Sequence, residues 1–203
     1  MKLDLEKILK ELIPYREKKG SVDPKQAALL VIDIQDYFQR IVGPILKNLL
    51  KVIQSCRLKN IPIIFTQHGH TDPPSDGGVL GEWWGEVILY GTKHWKFIPE
   101  IRIESKDTIL PKKRYSAFYE TDLEKILRSK GIRDLIISGV MTNLCCETTA
   151  RDAFMRDYNV FFLIDGTATR KEDHHLATLK NLGFGFAYLL TCDELIQNLE
   201  SKG

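Results

Sequence analysis

The sequence predicts an α/β protein with three layers, α/β/α, built around one six-stranded, mostly parallel sheet. Three observations carry this. Short apolar runs rich in β-branched residues recur along the 203-residue chain, as at residues 28–34 and 135–140. Segments with 3.6-residue apolar periodicity alternate with them. The runs read apolar on both faces, as strands do when helices cover both sides of a sheet.

Residues 1–20 read as an appended amphipathic helix, with Leu5, Ile8, Leu12 and Ile13 as its apolar side and Gly20 as its stop. Residues 28–34, ALLVIDI, form a central strand broken by Asp33. A carboxylate at the end of a buried strand needs partners. It reads either as a strand-end cap or as an acid at the carboxyl edge of the sheet, where α/β proteins bind ligands. A helix over 44–60 follows, with Ile45, Leu49, Val52, Ile53 and Cys56 on one side. The second strand covers 61–66, with Pro62 near its start, where a missing N–H does least harm.

Residues 67–92 are irregular, rich in Gly, Pro and Asp, yet they carry Trp83 and Trp84. Long connections of this kind commonly act as functional loops or lids. His68 and His70 stand two residues apart, and a pair alone is too little for a metal site. Residues 97–101 read as a short helix or turn, and 108–110 as the third strand. In the following cluster Lys112, Lys113 and Arg114 are adjacent. The cluster is either solvated or turns one lysine inward to anchor a carboxylate. Thr121 caps a helix over 122–130 that Gly131 ends.

The fourth strand, 135–140, leads into Thr142 and Asn143, both good helix N-caps, and a helix over 144–157. Cys145 then falls in the first turn, where unsatisfied N–H groups and the helix dipole favour an anion. A thiol so placed ionises more easily, and the same N–H groups can hold an oxyanion. The competing reading is an inert core cysteine. A fifth strand over 160–164, a helix over 171–182 with His174 and His175 on its surface, a sixth strand over 185–190 and a helix over 192–199 complete the chain.

Right-handed crossovers leave few topologies. In the Rossmann-like order 3-2-1-4-5-6, strands one and four lie side by side at the switch point. That arrangement brings Asp33 next to Cys145, where a carboxylate can serve as base and later as proton donor.

Composition narrows the function. With 43% hydrophobic and 28% charged residues, the chain suits a single soluble domain over 1–203. A net charge of +2 without a basic stripe argues against nucleic acid. The sequence holds no run of membrane-spanning length, so no membrane partner is expected, and its first residues lack the pattern of a signal peptide. Cys56, Cys145, Cys146 and Cys192 show no metal-type spacing, which suits reduced thiols in the cytoplasm.

Three segments together, ALLVIDIQDYF, PKKRYSAFYETDLEKIL and SGVMTNLCCETTARDAFMRDYNVFFLIDGTAT, resemble the isochorismatase-like hydrolase superfamily over residues 28–195. The resemblance implies the cysteine-hydrolase branch, with Asp33, Lys112 and Cys145 as catalytic residues. It implies a cis peptide joining Val140 and Met141, and oxyanion donors near Met141 and Cys145. Cys146, about 100° further round a helix, points elsewhere. The implied reaction is hydrolysis of a small amide or ureido compound through a thioester, with no cofactor, in a homo-oligomer, dimer or tetramer. Phe38, His68, His70, Trp84 and Tyr115 are the implied substrate contacts, unless the two histidines only fix their loop.

Two departures bear on the substrate. Isochorismatases proper lack the nucleophilic cysteine, so Cys145 argues against vinyl-ether hydrolysis. Nicotinamidases of the family bind a metal through an Asp-x-His pair and a later His. Here His68 stands at the Asp position, His70 at the first His and Val87 at the later one. The resemblance therefore weighs against that metal and against nicotinamide. The alternatives are a metal-assisted nicotinamidase and a silent relative that binds a metabolite.

Overall fold

The computed structural model describes residues 4–202. The chain opens with α1 (Leu5–Glu11), capped by the Asp4 carboxylate, which accepts from the Lys7 N–H. This helix ends well before Gly20. A 3-10 turn over Ile13–Tyr15, with Pro14 in its first turn, follows at once. A proline deeper inside a helix would remove a backbone bond and clash with the preceding turn. Ile8 and Leu12 are buried, whereas Ile13 is 68% exposed. Gly20 serves packing instead of stopping a helix: a Cβ there would lie 2.6 Å from the Tyr188 ring.

The remaining elements alternate as expected. They are β1 (Ala27–Ile32), α2 (Gln39–Val42), α3 (Leu46–Leu58), β2 (Ile63–His68), α4 (Pro73–Asp76), α5 (Gly78–Trp84), β3 (Thr108–Lys112), α6 (Leu123–Ser129) and β4 (Asp134–Val140). Then come α7 (Glu147–Met155), β5 (Asn159–Ala168), α8 (Glu172–Gly185), β6 (Tyr188–Leu190) and α9 (Cys192–Glu200). The sheet order is β3-β2-β1-β4-β5-β6. Every neighbouring pair is parallel, so the sheet is wholly parallel where the sequence predicted mostly so.

β1 shows why the sheet is covered twice. Ala28, Leu30 and Ile32 face one core, shared with Ile8 of α1, Leu127 of α6, Ala150 of α7 and Leu182 of α8. Ala27, Leu29 and Val31 face the other, shared with Leu49 and Val52 of α3 and Leu195 and Leu199 of α9. Burying one such aliphatic side chain contributes about 1.5–3 kcal/mol, so a strand apolar on both faces is stable only between two layers. At the switch point β4 comes very close to β1. Gly139 has φ +112, and a Cβ on it would collide with the Ile32 backbone.

Several boundaries differ from the expectation. β2 starts at Ile63, so Pro62 precedes the strand, and its carbonyl accepts from the Leu29 N–H at 2.9 Å. β3 continues to Lys112, which pairs with His68. β5 runs through Asp165 and Gly166 to Ala168, after a register shift against β4. The acid is accommodated there because its carboxylate accepts from Asn48 Nδ2 (2.8 Å) and the Cys192 N–H (2.7 Å). Gly185 ends α8 instead of opening β6. The irregular region holds the short α4 and α5, and His70, two residues past β2, anchors it by two backbone bonds, to Ile88 and Tyr90. Residues 97–101 form turns, with Ile98 and Ile101 buried. Among the described residues no helix is long and apolar enough to cross a membrane.

Candidate active site

Asp33 is the first residue past β1 and takes a left-handed conformation, φ +52, which aspartate tolerates better than most residues. The turn directs its carboxylate across the carboxyl edge of the sheet. Asp33 is fully buried. Thr66 of β2 secures it twice: the Asp33 N–H donates to Thr66 Oγ1 (3.1 Å), and that hydroxyl donates to Asp33 Oδ1 (2.6 Å). Sequence reading missed Thr66.

Lys112 ends β3 and its side chain is buried. Its Nζ lies 2.7 Å from Asp33 Oδ2. It also donates to Cys145 Sγ at 3.3 Å and to the Arg114 carbonyl at 3.0 Å. Burial alone would lower the pKa of this ammonium, but the Asp33 carboxylate and the hydrogen bonds to Asp33 and Cys145 outweigh it and the net direction is upward. Of the basic cluster, Lys112 is therefore the residue that turns inward. Lys113 points the other way and pairs with Asp76 at 3.0 Å, as alternation along a strand requires. Arg114 donates to the Asp76 carbonyl at 2.9 Å.

Cys145 sits in a five-residue π turn, Thr142–Cys146, ahead of α7. The Val140–Met141 peptide bond before it is cis. The turn closes where the Leu144 and Cys146 N–H groups donate to the Met141 carbonyl at 3.1 and 3.2 Å. Thr142 and Asn143 do not cap it. Thr142 Oγ1 pairs with His175 Nδ1 at 2.8 Å, and Asn143 Oδ1 accepts from Thr169 at 2.6 Å. The expected easy ionisation is also reversed. Burial pushes the Cys145 thiol up to about 12; the Lys112 charge opposes this and the Asp33 carboxylate adds to it. The resting residue is thus a thiol, with an ammonium and a carboxylate alongside. Cys56, Cys146 and Cys192 are buried in the two cores.

A cavity of about 270 Å³ opens onto Cys145, walled by Tyr37, Phe38, His68, Trp84 and Tyr115. Four of the expected substrate contacts, Phe38, His68, Trp84 and Tyr115, share this wall. Trp84 Nε1 donates to the Tyr115 hydroxyl at 2.7 Å. Burial, followed by the Lys112 charge, lowers the pKa of His68 to about 3, so its imidazole is neutral. Gln35 fixes the backbone of His68: its Nε2 donates to the His68 carbonyl (2.9 Å) and its Oε1 accepts from the His68 N–H (2.9 Å). Sequence reading missed Gln35, and also Tyr37, Met141 as a wall residue and Arg170 at the cavity rim.

His70 is not on the wall. It lies fully buried behind His68, with ring centroids 5.2 Å apart. Its Nδ1 is 3.1 Å from Asp76 Oδ1, which ties the segment just past β2 to α4. The residues do not fit the metal site of the family's nicotinamidases. Among the described residues no group of three His, Cys, Asp or Glu side chains could hold an ion, and Val87 lines the cavity at the third position. His175, expected on the surface, is fully buried, whereas its neighbour His174 is exposed. α8 turns His175 toward the Cys145 turn, which periodicity alone did not reveal.

A doubly wound parallel sheet whose switch point gathers a carboxylate, an ammonium and a thiol defines the class: an α/β protein with its candidate site at the carboxyl edge of the sheet. The chain belongs to the isochorismatase-like hydrolase family: the isochorismatase domain model matches residues 27–194. It is 48% identical to nicotinamidase 3 of Arabidopsis thaliana over 188 residues, 91% of this chain and 94% of that one. Its fold superposes on a cysteine hydrolase from Pseudomonas syringae pv. phaseolicola 1448A with a TM-score of 0.87 at 26% identity, covering 91% of this chain and 97% of that one. N-carbamoylsarcosine amidase from Thermoplasma acidophilum gives 0.74 at 27% identity, covering 83% and 98%.

Proposed function

We propose that the chain is a cysteine-dependent amidohydrolase that cleaves a C–N bond of a small amide or ureido compound through a thioester. The reading rests on one observation: a single buried ammonium, Lys112 Nζ, touches both the Asp33 carboxylate and the Cys145 sulfur. A thiol held near 12 is a poor nucleophile at neutral pH. It must therefore lose its proton as it attacks, and Asp33 is the adjacent base.

In this reading the Cys145 proton passes to Asp33 while sulfur bonds to the substrate carbonyl carbon. Lys112 compensates the charge on both partners. Backbone N–H groups around Met141 and Cys145 receive the oxyanion. When the tetrahedral intermediate collapses, the C–N bond breaks and Asp33 returns its proton to the departing nitrogen. Asp33 then takes a proton from water, whose oxygen attacks the thioester. The products are a carboxylic or carbamic acid and ammonia or an amine, and Cys145 regains its proton. His68, Trp84, Tyr115 and Phe38 orient a flat substrate in the aromatic cavity, and His70 fixes the loop behind them. The four free cysteines are all buried, and the proposal places the enzyme as a homo-oligomer in the cytoplasm.

A second reading concerns the substrate. The altered metal positions weigh against nicotinamide, yet the relative at 48% identity is named a nicotinamidase. That similarity, with the aromatic cavity walls, favours testing a heteroaromatic carboxamide first, cleaved without that metal. The experiment is ammonia release across a panel of carboxamides and ureido acids. At least one substrate turned over, with activity abolished in Cys145→Ala, supports the proposal. Full turnover in that variant refutes it.

A further inference from the structure

The Cys145 turn is held from outside its own helix. Thr142, three residues before Cys145, is fully buried, and so is His175 of α8. Thr142 Oγ1 and His175 Nδ1 are 2.8 Å apart. The N-cap position of the turn is Met141, which has no side-chain oxygen, so no side-chain cap holds the turn. The Thr142 hydroxyl, the first inside the turn, is committed to another element.

The pair is a bond between neutral groups. Burial lowers the pKa of His175 to about 4, with the Ile164 carbonyl opposing part of that shift, so the ring is neutral. A neutral imidazole donates from one nitrogen and accepts at the other. Nε2 is buried without a hydrogen-bond partner. The bond between Nδ1 and the Thr142 hydroxyl is therefore the ring's side-chain link to the turn. Weakening this single link would free a buried hydroxyl at the base of the turn.

We propose that His175 is a positioning residue: through Thr142 it sets the Cys145 turn so that sulfur and oxyanion donors meet the substrate carbonyl in register. It touches neither substrate nor the reacting atoms. Its effect falls mainly on the rate of the chemical step, because most of the cavity wall comes from the β1–α2 connection, β2, α5, residues 86–88 and Tyr115, and the turn adds only Met141, Leu144 and Cys145 itself. The inference rests on Cys145 being the nucleophile, as proposed above.

The test compares His175→Leu, His175→Asn, Thr142→Val and the Leu/Val double variant with the parent enzyme, each below its measured Tm. Two readouts are used: kcat and KM on the best amide, and the rate of Cys145 alkylation by iodoacetamide. His175→Leu and Thr142→Val should each lower kcat on the order of 10²-fold, as misplacement of reacting groups does, with KM changed by less than about twofold. The double variant should lose no more than either single one. An asparagine amide carries both a donor and an acceptor near the place of Nδ1 and can bond the Thr142 hydroxyl in either direction, so His175→Asn should recover most of the rate. Alkylation of Cys145 should change in parallel. Folded His175→Leu with unchanged kcat, or losses that multiply in the double variant, overturns the proposal. Should His175→Leu not fold, Thr142→Val and His175→Asn decide by the same criteria. Should the parent enzyme cleave no amide, the proposed function fails separately, and the alkylation rates still decide this one: rates equal to the parent's in all variants overturn it.

Discussion

Lys112 Nζ lies 2.7 Å from Asp33 Oδ2, and both side chains are buried at the carboxyl edge of the sheet. Removing one member of a buried pair leaves the other charge without compensation, at a cost of about 3–5 kcal/mol. Lys112→Met should therefore lower stability by that order in urea unfolding at neutral pH and abolish turnover. The double variant Lys112→Met/Asp33→Leu should regain much of the stability and none of the activity.

The thiol state gives a second prediction. Because burial holds the Cys145 thiol near 12, alkylation by iodoacetamide should be slow near neutral pH and accelerate as the solution is made alkaline. Cys145 should still label before Cys56, since it opens onto the cavity and Cys56 is sealed in the core. Mass mapping of partially alkylated protein checks the order.

Acid stability follows in part from two of the buried histidines, His68 and His175. Their folded-state values, about 3 for His68 and about 4 for His175, lie below the ordinary 6.5. As pH falls through 6.5 the unfolded chain takes up protons that the folded chain refuses, so stability is full above 6.5 and falls until the folded values are reached. Each histidine adds a slope of up to about 1.4 kcal/mol per pH unit in that window. Urea unfolding at a series of pH values should show the decline, with a shallower slope in His175→Asn.

The aromatic wall predicts an affinity effect. Tyr115→Phe removes the acceptor of the 2.7 Å bond from Trp84 Nε1. A loss of about 1 kcal/mol is typical of such a bond, so KM should rise roughly fivefold with kcat little changed. Trp84→Ala, which also removes the wall itself, should raise KM further. Steady-state kinetics on one substrate separates the two.

Metal dependence is a direct check on the altered His68, His70 and Val87 positions. Prolonged incubation with a chelator should leave turnover unchanged. Activity lost on chelation and restored by zinc would revive the metal-assisted reading.

Much of this was legible in the sequence, for physical reasons that differ by element. The runs at β1 and β4 are apolar on both faces, which points to a covered parallel sheet, and right-handed crossovers leave the observed strand order among a few topologies. Asp33 and Cys145 follow those two strands directly, so the topology alone brings them together. Lys112 was legible only as one of three adjacent cations; the inward choice is set by where β3 ends, which is a pairing property. Thr66, Gln35 and His175 were not legible in their roles, because each acts through a partner distant in sequence. The thiol's pKa was misjudged because helix-end effects act over one turn, whereas burial acts on the whole side chain.

The most direct test of the account is a single-turnover experiment with a slow amide substrate, acid-quenched and read by peptide mass spectrometry. An acyl mass added to the peptide containing Cys145, appearing before the acid product and absent from Cys145→Ala, is the predicted result. Product formed at the parent rate by Cys145→Ala, with no acyl peptide in the parent, would contradict it.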